Sequence, residues 1–588
     1  MPSGLDANRR GTNNFFLKNL KTKSVLRCSR LERSMTEILS ARPIHSKNRS
    51  LIRIFGTEQT WPKASIILCF FVLLPVIGLF WAAMNTDENI WQHLLNSVLP
   101  NYIFNSLILM AGVCLGVTII GTSTAWLIAM CQFPGRKVFG WMLILPLAMP
   151  GYVIAYVYTD FLEYSGPLQN SLRTLFYWTS TQDYWFPEIR SHGGAIILLS
   201  LVLYPYVYAL ARAAFSEQTA SLSEAGRMLG HSPMKVFFSV SLPLARPAIV
   251  VGVTLSLMET LSDYGTVDYF AIRTLTAGIF DVWFGMENRG GAAQIALVLL
   301  AFIILLVWLE RTSRRKQKVH NTSRMKGELR FKLKGWRSAA AIICCGVPIV
   351  FGFLLPAIIL ATYSSYNAHL FKLEDYLKYT GNSVFLAFAS AVLCMALGIF
   401  IGYSQRLSSH WSVKLATRFS TIGYAIPGAA LAVGLIISFG LINQIIIPAS
   451  SSSFFLSGGI VALIFAYTIR FLAISVGSVE SGLEKITPSM DMASRTLGNG
   501  PFLTLCRIHF PLLKRTLLAG SILVFVDTMK ELPATLILRP FNFETLATFV
   551  YQYASDELLI ECAPAALTIV LAGIVPVILL NAAIDDKK

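Results

Sequence analysis

The sequence predicts an all-α polytopic membrane protein of about twelve transmembrane helices, arranged as two parallel repeats of six. Three observations predict this class. The 588 residues are 54% hydrophobic and only 14% charged. Apolar runs of roughly 18 to 25 residues, long enough to cross a hydrocarbon core of about 30 Å, recur along the chain. Landmarks of the first half return in the second half at a fixed spacing. Such a composition excludes an ordinary soluble protein.

The chain begins with a basic, polar tail over 1–63 that lacks the apolar core of a signal peptide. We expect this tail to be cytoplasmic and the first span to serve as an uncleaved signal, and an Arg-rich transit peptide is the alternative. The formal net charge of +17 comes from blocks of basic residues beside apolar spans, so nucleic acid is not an expected partner. The nine cysteines include no C-x-x-C pair and predict neither a disulfide framework nor a zinc site.

Apolar runs define two halves, 64–310 and 339–584, joined by a polar, basic linker over 311–338. The predicted spans of the first half are 64–84, 102–130, 138–162, 193–215, 246–268 and 291–310. Those of the second half are 339–363, 381–404, 413–442, 458–478, 514–537 and 563–584. Because each half has an even number of spans, the two repeats are parallel and related by a twofold axis along the membrane normal.

The distribution of basic residues predicts the orientation. Most of the 49 Lys and Arg residues, including Arg136, Lys137, Arg406 and the linker, fall on one side of the membrane if the N-terminus is inside. The excess of Lys and Arg in cytoplasmic segments therefore predicts that both termini are cytoplasmic.

Two sets of landmarks carry the repeat. Asn105-Ser106 and Pro150-Gly151 return as Asn382-Ser383 and Pro427-Gly428 at an offset of 277 residues. The loop after the fourth span, about 216–245, contains Glu224-Ala225-Gly226, Gly230 and Leu242-Pro243. The corresponding loop of the second half, about 479–513, has Met492-Ala493-Ser494, Gly498 and Phe510-Pro511 at the equivalent positions, 268 residues later. This spacing predicts a short helix, a glycine break and a second helical piece, with proline before the next span. A solvated amphipathic connector is the alternative interpretation.

This loop pattern resembles the coupling loop of permease subunits of ATP-binding-cassette importers. The resemblance implies a type I importer (MetI-like) architecture and a cytoplasmic ATPase dimer as partner. It implies a docking role for Glu224, Ala225, Gly226, Gly230, Leu242, Pro243, Met492, Ala493, Gly498, Phe510 and Pro511. Met492 stands where the family has glutamate, so we expect the two halves to couple unequally. The chain has no G-x-x-x-x-G-K-[ST] motif, so ATP and magnesium are expected on the partner, and neither a cofactor nor enzymatic activity is expected here.

Four acidic residues form two matched pairs in the predicted fifth and eleventh spans. Glu259 and Asp263 share one face of the fifth span, and Asp527 and Glu531 occupy the same positions in the eleventh. Ionisable residues at such depth cost about 2.5 to 3.5 kcal/mol each on insertion scales and usually face water, a partner or a pathway. We expect them to line a translocation pathway without a permanent metal. Frayed helix ends, or ion pairs with Lys530 and Arg539, are the structural alternatives.

The segments 259–270, 530–535 and 539–543 resemble the fused permeases of ferric-iron importers. The resemblance implies a bacterial inner-membrane protein that receives iron from a periplasmic binding protein. The same architecture also serves thiamine and related solutes, and an aromatic cage from Tyr152, Tyr156 or Tyr264 is the corresponding site for such a cation. A proton-coupled secondary transporter is a further alternative, because parallel repeats with intramembrane carboxylates also occur in that class.

Overall fold

The computed structural model describes residues 60–85, 90–180, 182–218, 233–314, 331–366, 373–408, 410–446 and 459–585. Within these ranges, ten helices are long and apolar enough to cross a membrane, and two bent helix pairs raise the number to twelve if each pair is one span. Each half contributes five of the long helices and one bent pair. The predicted all-α polytopic class is confirmed.

The described part of the first half contains twelve helices. They are α1 Thr60–Met84, α2 Trp91–Asn96, α3 Leu99–Met130, α4 Arg136–Met142, α5 Gly151–Leu162, α6 Pro167–Phe176, α7 His192–Glu217, α8 Pro233–Val236, α9 Leu242–Ser262, α10 Gly265–Tyr269, α11 Leu275–Phe280 and α12 Arg289–Arg314. A 3-10 turn at Leu145–Ala148 follows α4, a π-helical turn at Phe237–Ser241 joins α8 to α9, and a second π-helical turn at Asp281–Gly285 follows α11.

The second half repeats this order. Its helices are α13 Trp336–Ile349, α14 Leu355–Tyr366, α15 Leu373–Leu407, α16 Trp411–Ser420, α17 Gly428–Ile446, α18 Ile460–Leu483, α19 Pro488–Thr496, α20 Pro501–Thr504, α21 Phe510–Met529, α22 Pro533–Leu538, α23 Leu546–Ser555 and α24 Leu559–Asp585. A 3-10 turn at Ile422–Ala425 follows α16, and π-helical turns at Val350–Leu354 and Leu505–His509 join α13 to α14 and α20 to α21.

The third apolar segment of each half is broken, so the predicted spans over 138–162 and 413–442 each correspond to a bent helix pair. The chain bends by 92° between the segment ending at Ala148 and α5, and by 115° between the segment ending at Ala425 and α17. The residue before each proline, Met149 or Ile426, is extended, with ψ of 118° or 122°. Proline disfavours the helical conformation of the residue that precedes it, and this restriction accounts for both breaks.

The fifth span of each half lies earlier in the chain than predicted. The continuous helical segments run over Met234–Ser262 and Pro501–Met529, whereas the sequence prediction placed them at 246–268 and 514–537. Pro243 and Pro511 do not interrupt these helices, because each follows a π-helical turn. Such a turn shifts the hydrogen-bond register where proline has no N–H to donate.

The first membrane-spanning segment of each half contacts the other half. The Ser438 hydroxyl of α17 donates to the Leu74 carbonyl of α1 at 2.8 Å. Reciprocally, the Tyr158 hydroxyl of α5 donates to the Phe351 carbonyl between α13 and α14 at 2.6 Å. A two-residue parallel strand pair, β1 Cys131–Gln132 with β2 Phe331–Lys332, ties the start of the second half to the first. The hydrophobic core is therefore shared between the halves.

Candidate functional site: a charged cavity between the halves

A cavity of about 120 Å³ lies between the two halves and is called the central cavity below. Both halves line it at the breaks of their third segments and the ends of their fifth spans. Its polar lining residues are Tyr152, Tyr206, Glu259, Ser262, Asp263, Tyr264, Tyr424, Arg470, Asp527, Lys530 and Glu531. The structure thus brings together all four carboxylates that the repeat pattern singled out.

Two of the four carboxylates bind the start of the next short helix. Asp263 Oδ1 accepts from the Thr266 N–H at 2.9 Å. Glu531 accepts from the Ala534 N–H at 3.0 Å and from the Thr535 N–H at 3.2 Å, and also from the Thr535 hydroxyl at 2.9 Å. Free N–H groups at a helix start favour a negative charge. Asp263 and Glu531 therefore fix the turn from the fifth span into α10 or α22.

The Pro-Gly breaks let the third segments approach these carboxylates closely. A Cβ atom on Gly151 would lie 3.2 Å from Asp263 Oδ2. A Cβ atom on Gly428 would lie 2.6 Å from Glu531 Oε1 and would overlap Nη1 of Arg470. At Gly428 only glycine permits this approach without displacing the ion pair, whereas at Gly151 the contact is looser.

The other two carboxylates make side-chain contacts. Glu259 Oε1 accepts from the Tyr424 hydroxyl of the second half at 3.1 Å. Asp527 Oδ1 lies 2.9 Å from Nζ of Lys530. Tyr206 of the first half lines the same cavity. A tyrosine from each half therefore meets the carboxylates at the boundary between the repeats.

The two halves differ in how their carboxylates are neutralised. Glu531, whose side chain is 2% exposed, pairs with Arg470 at 3.1 Å, and Asp527 pairs with Lys530. Among the residues that the structure describes, no basic side chain lies within ion-pair distance of Glu259 or Asp263. The four carboxylates and two basic side chains leave the cavity lining with a formal charge of −2. That excess comes from the first half.

The alternative that these carboxylates form ion pairs with Lys530 and Arg539 is therefore correct only in part. Lys530 pairs with Asp527 as that alternative required, but Arg539 pairs with Glu544 instead. Arg470 was not singled out from the sequence, although a lone arginine within an apolar span is itself a signal of function. Tyr206 and Tyr424 were also missed, because nothing in their local sequence distinguishes them from other membrane tyrosines.

No three His, Cys, Asp or Glu side chains within the described ranges converge closely enough to hold a metal ion. Of the three tyrosines predicted as a cage, Tyr152 and Tyr264 line the cavity. Tyr156 packs behind them, with ring centroids 6.0 Å from Tyr152 and 4.4 Å from Tyr269. The Tyr152 hydroxyl is buried and has no hydrogen-bond partner among the described residues. The cavity therefore contains an unused polar group beside its carboxylates.

Of the predicted docking residues in the first half, Glu224, Ala225, Gly226 and Gly230 lie outside the described residues. Leu242 and Pro243 begin α9 directly after its π-helical turn. Phe510 and Pro511 begin α21 in the same way. The repeat detected in the sequence is thus present in the backbone at this point.

The second copy of the loop has the predicted form of a short helix and a glycine break. Met492 and Ala493 lie on α19, and Gly498 follows with a φ of 78°, in the left-handed region that favours glycine. Met492 is 61% exposed and Leu497 is 78% exposed. The helix therefore presents apolar side chains on an open surface.

An ionic network anchors α19 to the spans. Asp491 Oδ2 lies 2.7 Å from Arg406 Nε, and Asp491 Oδ1 lies 2.8 Å from Nε2 of the buried His509. Arg406 also donates to the carbonyls of Leu483 and Ile486 at 2.6 and 2.8 Å. These contacts join the ends of α15, α18 and α21 through one side chain of α19. Movement of α19 is thereby linked directly to three membrane helices.

Comparison with known families decides the class. Residues 118–319 and 394–586 each match the family described as "binding-protein-dependent transport system inner membrane component". The chain belongs to this family. It is thus a multi-pass permease that carries the family's domain twice, and it serves as a transport subunit, not an enzyme.

Some relatives match most of this chain, and others match about one third of it. The Fe(3+)-transport system permease protein FbpB 2 of Haemophilus influenzae is 26% identical over 491 residues, covering 81% of this chain and 88% of the relative. The ferric transport system permease protein FbpB of Actinobacillus pleuropneumoniae is 22% identical over 84% of this chain and 73% of the relative. The molybdenum transport system permease protein ModB of Escherichia coli is 29% identical over 206 residues, covering 33% of this chain and 86% of the relative.

Proposed function

We propose that this permease imports ferric iron, which a periplasmic binding protein delivers and a separate cytoplasmic ATPase dimer drives across the bacterial inner membrane. The observation that carries the proposal is the convergence of Glu259, Asp263, Asp527 and Glu531 from both halves on one small cavity. The relatives named as ferric transport permeases support the same substrate.

The charge of the central cavity favours a cation. Carboxylate oxygens are the ligands that hard cations prefer, and a lining with a net negative charge opposes an oxyanion. The volume of about 120 Å³ is well below the roughly 300 to 1,000 Å³ of pockets for drug-sized organic ligands. A small ion therefore fits this cavity better than a vitamin does.

The coupling loops support an ATPase as the energy source. The exposed apolar side chains of Met492 and Leu497 suit a groove on a partner, and the network around Asp491 links that helix to the membrane spans. We place the two coupling loops, both termini and the linker on the cytoplasmic side, as the distribution of basic residues predicts. ATPase closure would then pull both loops and rock the halves about the central cavity.

The test of coupling is deletion of residues 224–230 in the full chain. With the binding protein and the ATPase present, uptake of radioactive iron into proteoliposomes should fall to background, while membrane insertion is retained. Full uptake by the deletion variant would contradict coupling through this loop. Uptake driven by a proton gradient without any ATPase would identify a secondary transporter instead.

Thiamine import is the second candidate, because Tyr152 and Tyr264 line the cavity beside carboxylates and such rings can hold an organic cation. Growth of a deletion strain under iron limitation, with and without added thiamine, separates the two substrates. We expect thiamine to leave the growth defect unchanged. Rescue by thiamine alone would overturn the iron proposal.

A further inference from the structure

Lys530 occupies an unusual place for a basic side chain. It lines the central cavity, caps the C-terminal end of α21 and pairs at 2.9 Å with Asp527, one turn earlier in the chain. Glu259 of the other half lines the same cavity. Lys530 is therefore a cation already present among the carboxylates that a transported cation would need.

The fold does not require a lysine at this position. Lys530 is the residue at the C-terminal end of α21, where a positive charge is generally favourable. At the equivalent position of the first half, 268 residues earlier, α9 ends with Ser262, which lines the same cavity. Since one repeat makes the turn without a basic residue, helix termination alone does not explain Lys530.

The two basic residues of the cavity differ in how firmly their side chains are held. Arg470 is 11% exposed, and its partner Glu531 is also held by backbone N–H groups. Lys530 and Asp527 are 25% and 23% exposed, and they share a single ion pair. A lysine ammonium on a flexible four-carbon chain can leave such a pair, whereas the planar guanidinium of Arg470 is fixed between its neighbours.

We propose that Lys530 is a movable counter-ion that competes with the transported cation for Asp527 and Glu259, and so adjusts the cavity to the charge of its cargo. With Lys530 in place and Glu531 neutralised by Arg470, the remaining carboxylates carry a formal charge of −2. When Lys530 withdraws, the formal charge of the cavity lining changes from −2 to −3, so the electrostatic attraction for a trivalent cation increases. This inference rests on the proposed import of a cation through the central cavity.

Repulsion by Lys530 grows with the charge of the cation. Its removal should therefore strengthen binding of a trivalent ion more than binding of a divalent ion of similar size. Terbium(III) and calcium form such a pair, and nearby tyrosines, here Tyr152 and Tyr264, sensitise terbium luminescence.

The experiment titrates terbium(III) into the full chain in lipid nanodiscs, with calcium as the competitor. For Lys530→Met we expect terbium to bind at least about tenfold more tightly, with a higher terbium-to-calcium preference. Lys530→Arg keeps the positive charge on a side chain that pairs in a more fixed geometry, and should therefore bind terbium no more tightly than the wild type. Ser262→Lys, which gives the first half the same counter-ion, should weaken terbium binding more than Ser262→Ala does.

Unchanged or weaker terbium binding by Lys530→Met would overturn the inference. If Lys530→Met does not insert into the membrane, unchanged terbium binding by Ser262→Lys would overturn it instead. The iron proposal has a separate readout. If wild-type proteoliposomes with binding protein and ATPase take up no iron, that proposal fails, whereas the terbium shifts still report on the role of Lys530. A lysine with a purely structural role would change protein yield but not the preference between two ions of similar size.

Discussion

The two halves of this permease use the same backbone to hold acidic residues in different electrostatic settings. In the second half each carboxylate has a basic partner, Arg470 or Lys530. In the first half the matching positions hold Val202 and Ser262, and the carboxylates are left with hydroxyl and backbone donors. Pseudo-symmetry thus preserves the geometry of the cavity, while single substitutions decide which side attracts a cation.

The largest expected effect breaks the buried pair of the second half. Arg470→Met should destabilise the protein by about 3–5 kcal/mol, because Glu531 would stay buried without its partner. Thermal stability in detergent, measured by size-exclusion chromatography, provides the test. Arg470→Lys keeps the charge and should lose less. The double variant Arg470→Met/Glu531→Gln should recover much of the loss, and a double variant no more stable than the single one would contradict this account.

A second pair of substitutions compares the two Pro-Gly breaks. Gly428→Ala places a methyl group against Arg470 and Glu531 and should cost about 1–3 kcal/mol through overpacking. Gly151→Ala meets Thr266 Oγ1 at 3.0 Å and Asp263 Oδ2 at 3.2 Å, where small shifts relieve the contact, and should cost less. The same thermal assay measures both variants. A greater loss from Gly151→Ala would show that the first half is the more tightly packed.

A third prediction concerns the anchor of α19. Asp491→Ala removes a charge-assisted hydrogen bond from Arg406 and the contact with His509, and should cost about 1–3 kcal/mol locally. We expect iron uptake to fall relative to ATP hydrolysis, since the helix would move without its membrane partners. Ser223→Ala, at the matching position of the first half, is the control and should change neither rate. Unchanged uptake per ATP in Asp491→Ala would remove the network from the coupling path.

The smallest expected effect is at the surface of α19. Met492→Ala alters a side chain that is 61% exposed, and such changes usually alter stability by no more than about 0.5 kcal/mol. Glu224→Ala should impair transport more, because only that copy keeps the glutamate of the coupling-loop pattern. Uptake rates at matched membrane levels test the difference. Equal losses would show that the two halves couple alike.

The sequence was sufficient for the parts of the fold that depend on composition and spacing. Apolar length predicted two sets of six segments, and the 268-residue offset predicted that Asp263 and Glu531 would occupy equivalent places. The structure adds that both are the residues that bind the next short helix. Their equivalence was visible because repeats preserve position, whereas hydrogen bonds to the backbone leave no pattern in hydropathy.

The breaks at Pro150 and Pro427 could have been predicted. The two Pro-Gly pairs were recognised as landmarks, yet the surrounding apolar residues favoured an uninterrupted span. Contacts between distant segments could not be predicted from the sequence. Tyr424 contacts Glu259, which lies 165 residues away in the chain, and Arg470 contacts Glu531, 61 residues away. Local sequence specifies a helix and its faces but not which neighbouring helix a face will meet.

Lys530 of the second half corresponds to Ser262 of the first half, and this difference has a consequence for the evolution of the chain. A permease assembled from two identical subunits must place every residue on both sides of its axis, so it would have either two lysines or none. Joining the halves into one polypeptide removes that constraint and lets each copy diverge. A single polypeptide can therefore keep unpaired carboxylates in one copy and pair those of the other copy with basic side chains.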